Sequence, residues 1–192
     1  IKVVTLAAEL EGAQGLIEFL TSQGVRVQQG HTLATYHQAK AGLEAGAQGF
    51  THLYNAMSSL NHREPGVVGL ALEQAQWAEI IPDGLHVHPA AVRTAWKNIP
   101  HLYAVTDAAE AAGMPDGEYH LGQHRVYRRG NGVFLADGGL AGSALTMGQA
   151  AQNLHAWGYG GQDILNLTSG HAAQYLDLEY GLEPGHYADV VV

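Results

Sequence analysis

VRVQQGHTLATYHQAKAGLEAGAQGFTHLYNAM, residues 25–57, holds two short apolar runs of strand type, 25–28 and 49–54, on either side of one helical pattern, 34–45. The helical pattern stops at Gly46, as a helix with a C-terminal glycine cap does. Working outward, further strand-type runs fall at 3–7, 77–81 and 102–105, at intervals of about 25 residues. Helical patterns fill most of the gaps. Residues 9–23 carry Leu10, Leu16, Ile17, Phe19 and Leu20 and stop at Gly24, and Pro89 opens a helix over 90–97 as a first-turn proline. Strands alternating with helices predict βα units around a parallel sheet, whose burial on both faces explains the nearly continuous apolar strands.

The rhythm changes after Asp107. Residues 119–135 alternate polar and apolar and predict β-hairpins, with turns near Gly122 and at Asn131-Gly132. Helical stretches follow at 143–157 and 162–176, with Ser143 placed to N-cap the first. The end, GLEPGHYADVVV, reads as a Pro-Gly turn feeding a terminal strand.

Composition narrows the function classes. The chain has 192 residues, 46% of them hydrophobic, enough for a sizeable core. A formal charge of -9 with nine Lys plus Arg and no basic run excludes the electrostatic footprint of a nucleic-acid binder. There is no Cys, so a metal would be held by His and carboxylates, and the cytoplasm is the default compartment. No apolar stretch approaches the roughly 20 residues that span a bilayer, and no membrane partner is expected. The chain begins at Ile1, inside a strand-type run and without Met, which reads as an incomplete chain.

In parallel α/β barrels the reactive groups stand at the carboxyl ends of strands. Of the 12 His residues, His31 follows the second strand and His52 ends the third, while Asp107 ends the fifth in AVTDAAEAAG. Burying such groups without partners costs roughly 2 to 7 kcal/mol each, and a metal ion is one partner that relieves the cost. Each residue has a plainer reading as well. A single strand-end His is commonly a hydrogen-bonded structural residue, and Asp107 is placed to N-cap the alanine-rich segment after it. The joint pattern of two His and one Asp at the ends of parallel strands is what points to metal-assisted hydrolysis.

Six strings carry a resemblance: GHT at 30–32, THLYNAM at 51–57, HREPGVVG at 62–69, DGLHVHP at 83–89, VTDA at 105–108 and LAGSALTM at 140–147. In order and spacing they resemble the N-acetylglucosamine-6-phosphate deacetylases of the amidohydrolase superfamily. THLYNAM and HREPG are specific to that group; the His, His, Asp succession is shared across the superfamily. The resemblance implies a portion of a TIM-like (β/α)8 hydrolase barrel. Residues 1–118 would be its C-terminal half, 119–137 a β-hairpin region, 138–180 helices packing on the barrel, and 181–192 the closing strand of a small β-sandwich. It implies His31 and His52 as ligands of a divalent metal ion, Zn ahead of Fe. Asp107 would be the acid/base that takes a proton from the attacking water and delivers it to the departing amine. Asn55 and Ala56 would contact the substrate, Arg63 and His86 would bind its phosphate, and Leu140, Ala141, Gly142 and Ser143 would form another wall of the pocket. The substrate would be a small amino-sugar phosphate, and a homodimer follows because the family's phosphate site takes a contribution from a neighbouring subunit.

The same residues allow plainer roles. Arg63 in isolation reads as a solvated charge or a salt bridge to Glu64, and the LAGS segment as a turn plus cap. His86 and His88 are two apart and face opposite ways, so one of them points into a pocket; His62 and His88 carry no role. The family's third protein ligand is a Glu in a segment preceding this sequence, and Glu9 and Glu11, in AELEG, do not match it. Glu110 stands where a small or apolar residue is expected. Two other readings stay open: an amidohydrolase acting on a related sugar phosphate or amide, and a non-catalytic fragment with an unfilled metal site.

Overall fold

The computed structural model describes residues 1–179, 181 and 184–185. Five strands form a parallel sheet in strict chain order: β1 Val3–Leu6, β2 Arg26–Gln29, β3 Gly49–Phe50, β4 Trp77–Ile80 and β5 His101–Ala104. Parallel pairing puts the carboxyl ends of all five on one edge, with Val4 opposite Val27, Gln29 opposite Phe50 and Ile80 opposite Ala104.

Four helices connect the strands, and local chemistry sets their ends. Helix α1 (Ala13–Ser22) starts after Gly12, whose φ of 78° turns the chain, so the expected helix from residue 9 begins later. Helix α2 (Tyr36–Glu44) opens on a full capping box: Thr35 accepts from the Gln38 N–H while the Gln38 side chain accepts from the Thr35 N–H. Helix α3 (Gly66–Gln74) fills a gap whose sequence carries no amphipathic pattern, and helix α4 (Pro89–Asn98) has the first-turn proline as expected.

Alternate strand residues serve two faces. Phe50, Ala78, Ile80 and Leu102 enter the main core with Ala39 of α2, Val67, Leu70 and Ala71 of α3, and Val92 and Ala95 of α4. Gln29 takes the same side, its amide donating to the Ala39 carbonyl (2.9 Å). The intervening Thr5, Gln28, Glu79 and Tyr103 point to the other face, where their polar side chains are joined by hydrogen bonds, partly through Thr51.

Beyond β5 lies an antiparallel sheet, β6 Gly117–Leu121, β7 His124–Arg129, β8 Gly132–Leu135 and β9 Leu140–Ser143, with its own small core of Ala111, Val126, Val133 and Ala141. The expected hairpins are present, and the sheet takes in a fourth strand from the stretch expected to begin the helices. Helix α5 (Met147–Ala156) is capped by Thr146, which corrects the expectation that Ser143 caps it: Ser143 is the last residue of β9, fully buried. The second expected helix is α6 (Gly161–Leu165), a π-helical turn (Asn166–Gly170) and α7 (His171–Tyr175) in succession. Its π turn and α7 pack on β5, where the His171 ring bonds the Leu102 carbonyl at 2.8 Å. The terminal strand expected over 181–192 lies largely outside the described residues. No described helix is long and apolar enough to cross a membrane.

Candidate active site

His31 and His52 stand two residues past the ends of β2 and β3, and Asp107 three past β5, all on one edge of the sheet. All three have left-handed backbones, with φ of 48°, 31° and 48°. Tyr54 and Ala56 share that conformation, at 80° and 49°. Residues with side chains pay for this conformation, and such outliers cluster at functional sites. They also correct the expected strand over 49–54, which ends at Phe50 because the chain turns at His52.

The loops after β2 and β3 are zipped together beyond the strands. Thr32 N–H donates to the Ala56 carbonyl (3.0 Å) and Ser58 N–H to the Thr32 carbonyl (3.2 Å). Glu9, in the loop after β1, braces the same place: one carboxylate oxygen accepts from Leu33 N–H (2.8 Å) and the other from the Thr32 hydroxyl. Burial pushes the Glu9 carboxyl up, but the hydrogen bonds from Thr32 and from the Glu9 and Leu33 backbone outweigh it and hold it below the ordinary range. Glu9 therefore positions the His31 loop, a role with no local signal in the sequence because it depends on a contact 23 residues away.

The two imidazoles meet. His31 Nε2 and His52 Nε2 are 2.8 Å apart with the rings edge to face, His52 nearly buried and His31 open. Two nitrogen lone pairs do not face each other at that distance unaided, so a proton or a cation belongs between them. The donor chemistry, two imidazoles and no thiolate, fits a divalent ion of the Zn or Fe type. Among the described residues no group of three or more potential ligands comes together, so these imidazoles would be two of such an ion's ligands. Asp107 is exposed and does not join them in such a group. His52 Nδ1 is buried with no partner among the described residues, where a ligating histidine normally donates to an outer-shell group.

Beneath His52 runs a polar belt with one side chain from each strand or strand end. Thr5 shares a hydrogen bond with Thr51 (2.8 Å), Thr51 donates to Gln28 (2.8 Å), Gln28 donates to the Tyr103 hydroxyl (2.6 Å), and that hydroxyl donates to Glu79 (3.2 Å). The second Glu79 oxygen accepts from His52 N–H (3.3 Å), tying the belt to the strained residue. Burial raises the Glu79 carboxyl above its ordinary range, and burial likewise drives the Tyr103 hydroxyl far up. These five residues sit inside runs that read simply as apolar strands.

The remaining expected residues fall on the same edge. Asn55 folds back, its amide bonding the His52 and Leu53 carbonyls at 3.2 and 3.3 Å, and Ala56 is exposed. Arg63 sits exposed at the tip of a tight turn closed by reciprocal Asn61–Glu64 backbone bonds, and its guanidinium forms no ion pair with Glu64 among the described residues. His86 is buried against Asp83, whereas His88 is exposed and its ring caps α4 by accepting from Ala90 N–H (3.1 Å), so the two do face apart. The 140–143 segment is strand β9, brought to Asp107 by two backbone bonds: Ser143 N–H to the Asp107 carbonyl (2.8 Å) and Ala109 N–H to the Ser143 carbonyl (2.9 Å). Ser143 Oγ donates to the Thr106 carbonyl and accepts from Leu145 N–H, linking the Asp107 loop to the approach to α5. Gly142, at φ 71°, lets that contact form, since a Cβ there would lie 3.3 Å from the Asp107 carbonyl oxygen. Glu110 is exposed, which removes any packing conflict in this loop.

No family model matches the chain. It is 43% identical over 197 residues to the N-acetylgalactosamine-6-phosphate deacetylase of Escherichia coli O157:H7, covering all of this chain and 52% of the relative. It is 41% identical to the N-acetylglucosamine-6-phosphate deacetylase of Vibrio furnissii, covering 98% of this chain and 49% of the relative. The crystal structure of the Pasteurella multocida N-acetylglucosamine-6-phosphate deacetylase superposes with a TM-score of 0.88 at 35% identity, over 93% of this chain and 48% of that one. A Mycobacterium smegmatis mutant enzyme in complex with N-acetyl-D-glucosamine-6-phosphate gives 0.86 at 36%, over 93% and 49%. The chain thus spans about half the length of the curated relatives it matches. Along its whole length it is homologous to roughly half of an N-acetylglucosamine-6-phosphate deacetylase.

Proposed function

We propose that the protein carrying this chain hydrolyses the acetamide of N-acetylglucosamine 6-phosphate, giving glucosamine 6-phosphate and acetate in amino-sugar breakdown. The observation that carries the reading is the meeting of His31 and His52 at adjacent strand ends, within the motifs shared with deacetylases. A divalent ion held by these two imidazoles and a ligand from outside the described residues would supply polarisation of the acetamide carbonyl and acidification of water. Asp107 accepts the proton of the attacking water and returns it to the departing sugar nitrogen. Arg63 and His86 hold the phosphate, Asn55 and the Ala56 backbone meet the sugar, and Leu140 to Ser143 close the wall beside Asp107. The planar guanidinium of Arg63, free of any ion pair to Glu64, suits a phosphate.

Strictly sequential parallel strands, without the reversal of a doubly wound sheet, support consecutive strands of a (β/α)8 barrel. A homodimer with the phosphate site completed across the interface is the matching assembly. The test is acetate release by the full-length protein with and without chelator, and with Asp107→Asn. Loss in both supports the mechanism; undiminished turnover by Asp107→Asn refutes it.

A second reading has its own observation, the 43% identity to an N-acetylgalactosamine-6-phosphate deacetylase. The two substrates differ at one sugar hydroxyl, so the ratio of kcat/KM for the two epimers decides between them.

A further inference from the structure

We propose that Glu79 is a positioning residue for the metal-binding histidines: its side chain takes the place of the strand partner that His52 N–H has lost, and so holds His52 in the left-handed turn that brings its ring to His31. The inference rests on the reading of His31 and His52 as metal ligands.

Strand β3 pairs with β4 in a register that sets Gly49 opposite Trp77 and Phe50 opposite Ala78. Thr51 N–H faces β2, where it bonds the Gln29 carbonyl (3.0 Å), so in a regular strand the next N–H, that of His52, would face β4. The same register carried on would give it the Glu79 carbonyl. That carbonyl instead accepts from Leu53 N–H (2.8 Å), because the chain turns at His52 to φ 31°. The displaced His52 N–H is caught by the side chain of the same residue, on Glu79 Oε2 (3.3 Å). Glu79 thus serves the end of β3 twice, with its backbone for Leu53 and its carboxylate for His52. A buried N–H without an acceptor is costly, and a left-handed backbone is already costly for a residue with a side chain, so the turn persists only with an acceptor in place.

The carboxylate is itself fixed. Its Oε1 accepts from the Tyr103 hydroxyl of β5 (3.2 Å), which receives a hydrogen bond from Gln28 (2.6 Å) and so has its one proton for Glu79. Glu79 joins His31 and His52 in no group of three potential ligands among the described residues, so its influence on an ion runs through His52. No other side chain orients the ring from behind: among the described residues His52 Nδ1 has no partner. The ring goes where the backbone turn sends it.

Three variants separate position from charge. Glu79→Gln keeps an oxygen for His52 N–H and turns its amide toward Tyr103, whose hydroxyl accepts it once the Gln28 amide flips. Glu79→Asp keeps the charge but is one methylene too short to reach both donors, and Glu79→Ala keeps neither. Full-length protein freed of metal is titrated with Zn in competition with a chelator, and the His52 backbone of the metal-free protein is followed by NMR. Glu79→Ala and Glu79→Asp are expected to weaken Zn about 10- to 100-fold and to release His52 from its left-handed conformation, while Glu79→Gln stays within about threefold of native and keeps it. The Asp and Gln variants decide the matter if Glu79→Ala, which leaves two donors without an acceptor, does not fold. Zn affinity lost in Glu79→Gln but kept in Glu79→Asp would make charge the cause and overturn the inference. So would affinity lost with His52 still left-handed, or affinity unchanged in Glu79→Asp. Failure of the metal reading shows differently, as a native protein that takes up no Zn, and removes the inference with it.

Discussion

Replacing Gly66 by Ala is expected to destabilise the protein by about 2–5 kcal/mol. Gly66 opens α3 with φ 60°, a left-handed conformation that costs a residue with a side chain about 1–2 kcal/mol. A Cβ there would also lie 2.8 Å from the Ser58 carbonyl oxygen and 2.9 Å from that of Ser59. Both are backbone atoms, so relief requires the loop to move, and overpacking of this kind adds about 1–3 kcal/mol. The loop that must move is anchored by Ser58, whose hydroxyl donates to the Ala34 carbonyl (2.6 Å) and accepts from Val67 N–H (2.8 Å). It also carries Arg63. The assay is equilibrium urea unfolding, where a midpoint drop of about 1–2.5 M is expected at an m-value near 2 kcal/mol/M. Gly15→Ala is the control. Gly15 lies in α1 with nothing within 4 Å of a new Cβ, so Ala there should raise stability by about 0.5–1 kcal/mol. A Gly66→Ala midpoint within about 0.25 M of native, or one that rises as Gly15→Ala does, is the result that rules this out.

Thr35→Ala removes the capping box of α2 and should cost about 0.5–2 kcal/mol in the same urea assay. Burial and the neighbouring His171 hold the His101 imidazole below the ordinary histidine range of 6.5. The unfolded chain therefore takes up the proton first, and stability falls as pH drops below 6.5 toward the folded value. His101→Phe keeps the stack on Trp77 (4.2 Å) without the proton, so its urea midpoint should lose less than the native one between pH 7.5 and 5.5. Arg63→Ala should raise KM for phosphorylated substrate at least about tenfold while leaving kcat/KM for the unphosphorylated sugar within about twofold, a split that steady-state kinetics reads directly.

What the residues disclosed by themselves depended on how local the cause was. The starts of β1, β2, β4 and β5, the glycine stop at Gly46 and the proline at α4 each follow from a few adjacent residues, and all stand close to where they were expected. The strand-end placement of His31, His52 and Asp107 was likewise legible. Helix α3 was not, because Gly66 to Ala71 are all buried and so carry no amphipathic period. The shortness of β3 was hidden too: left-handed backbones at His52, Tyr54 and Ala56 are imposed by the Thr32 zipper and the Glu79 contact, both from distant strands. Ser143 looked like a cap because its neighbours allow one, but its partner is the Thr106 carbonyl 37 residues away. Glu9 and the Thr5, Gln28, Thr51, Glu79 and Tyr103 belt share that property, their roles existing only once the strands are side by side.

The central claim, that His31 and His52 together hold a divalent ion, is tested most directly by elemental analysis of the full-length protein after dialysis, native against His52→Gln. A stoichiometric divalent ion is expected in the native protein and its loss in His52→Gln, with the urea midpoint of metal-free protein little changed. An ion content that is unchanged in His52→Gln, or a native protein that retains none after loading with Zn or Fe, would contradict it.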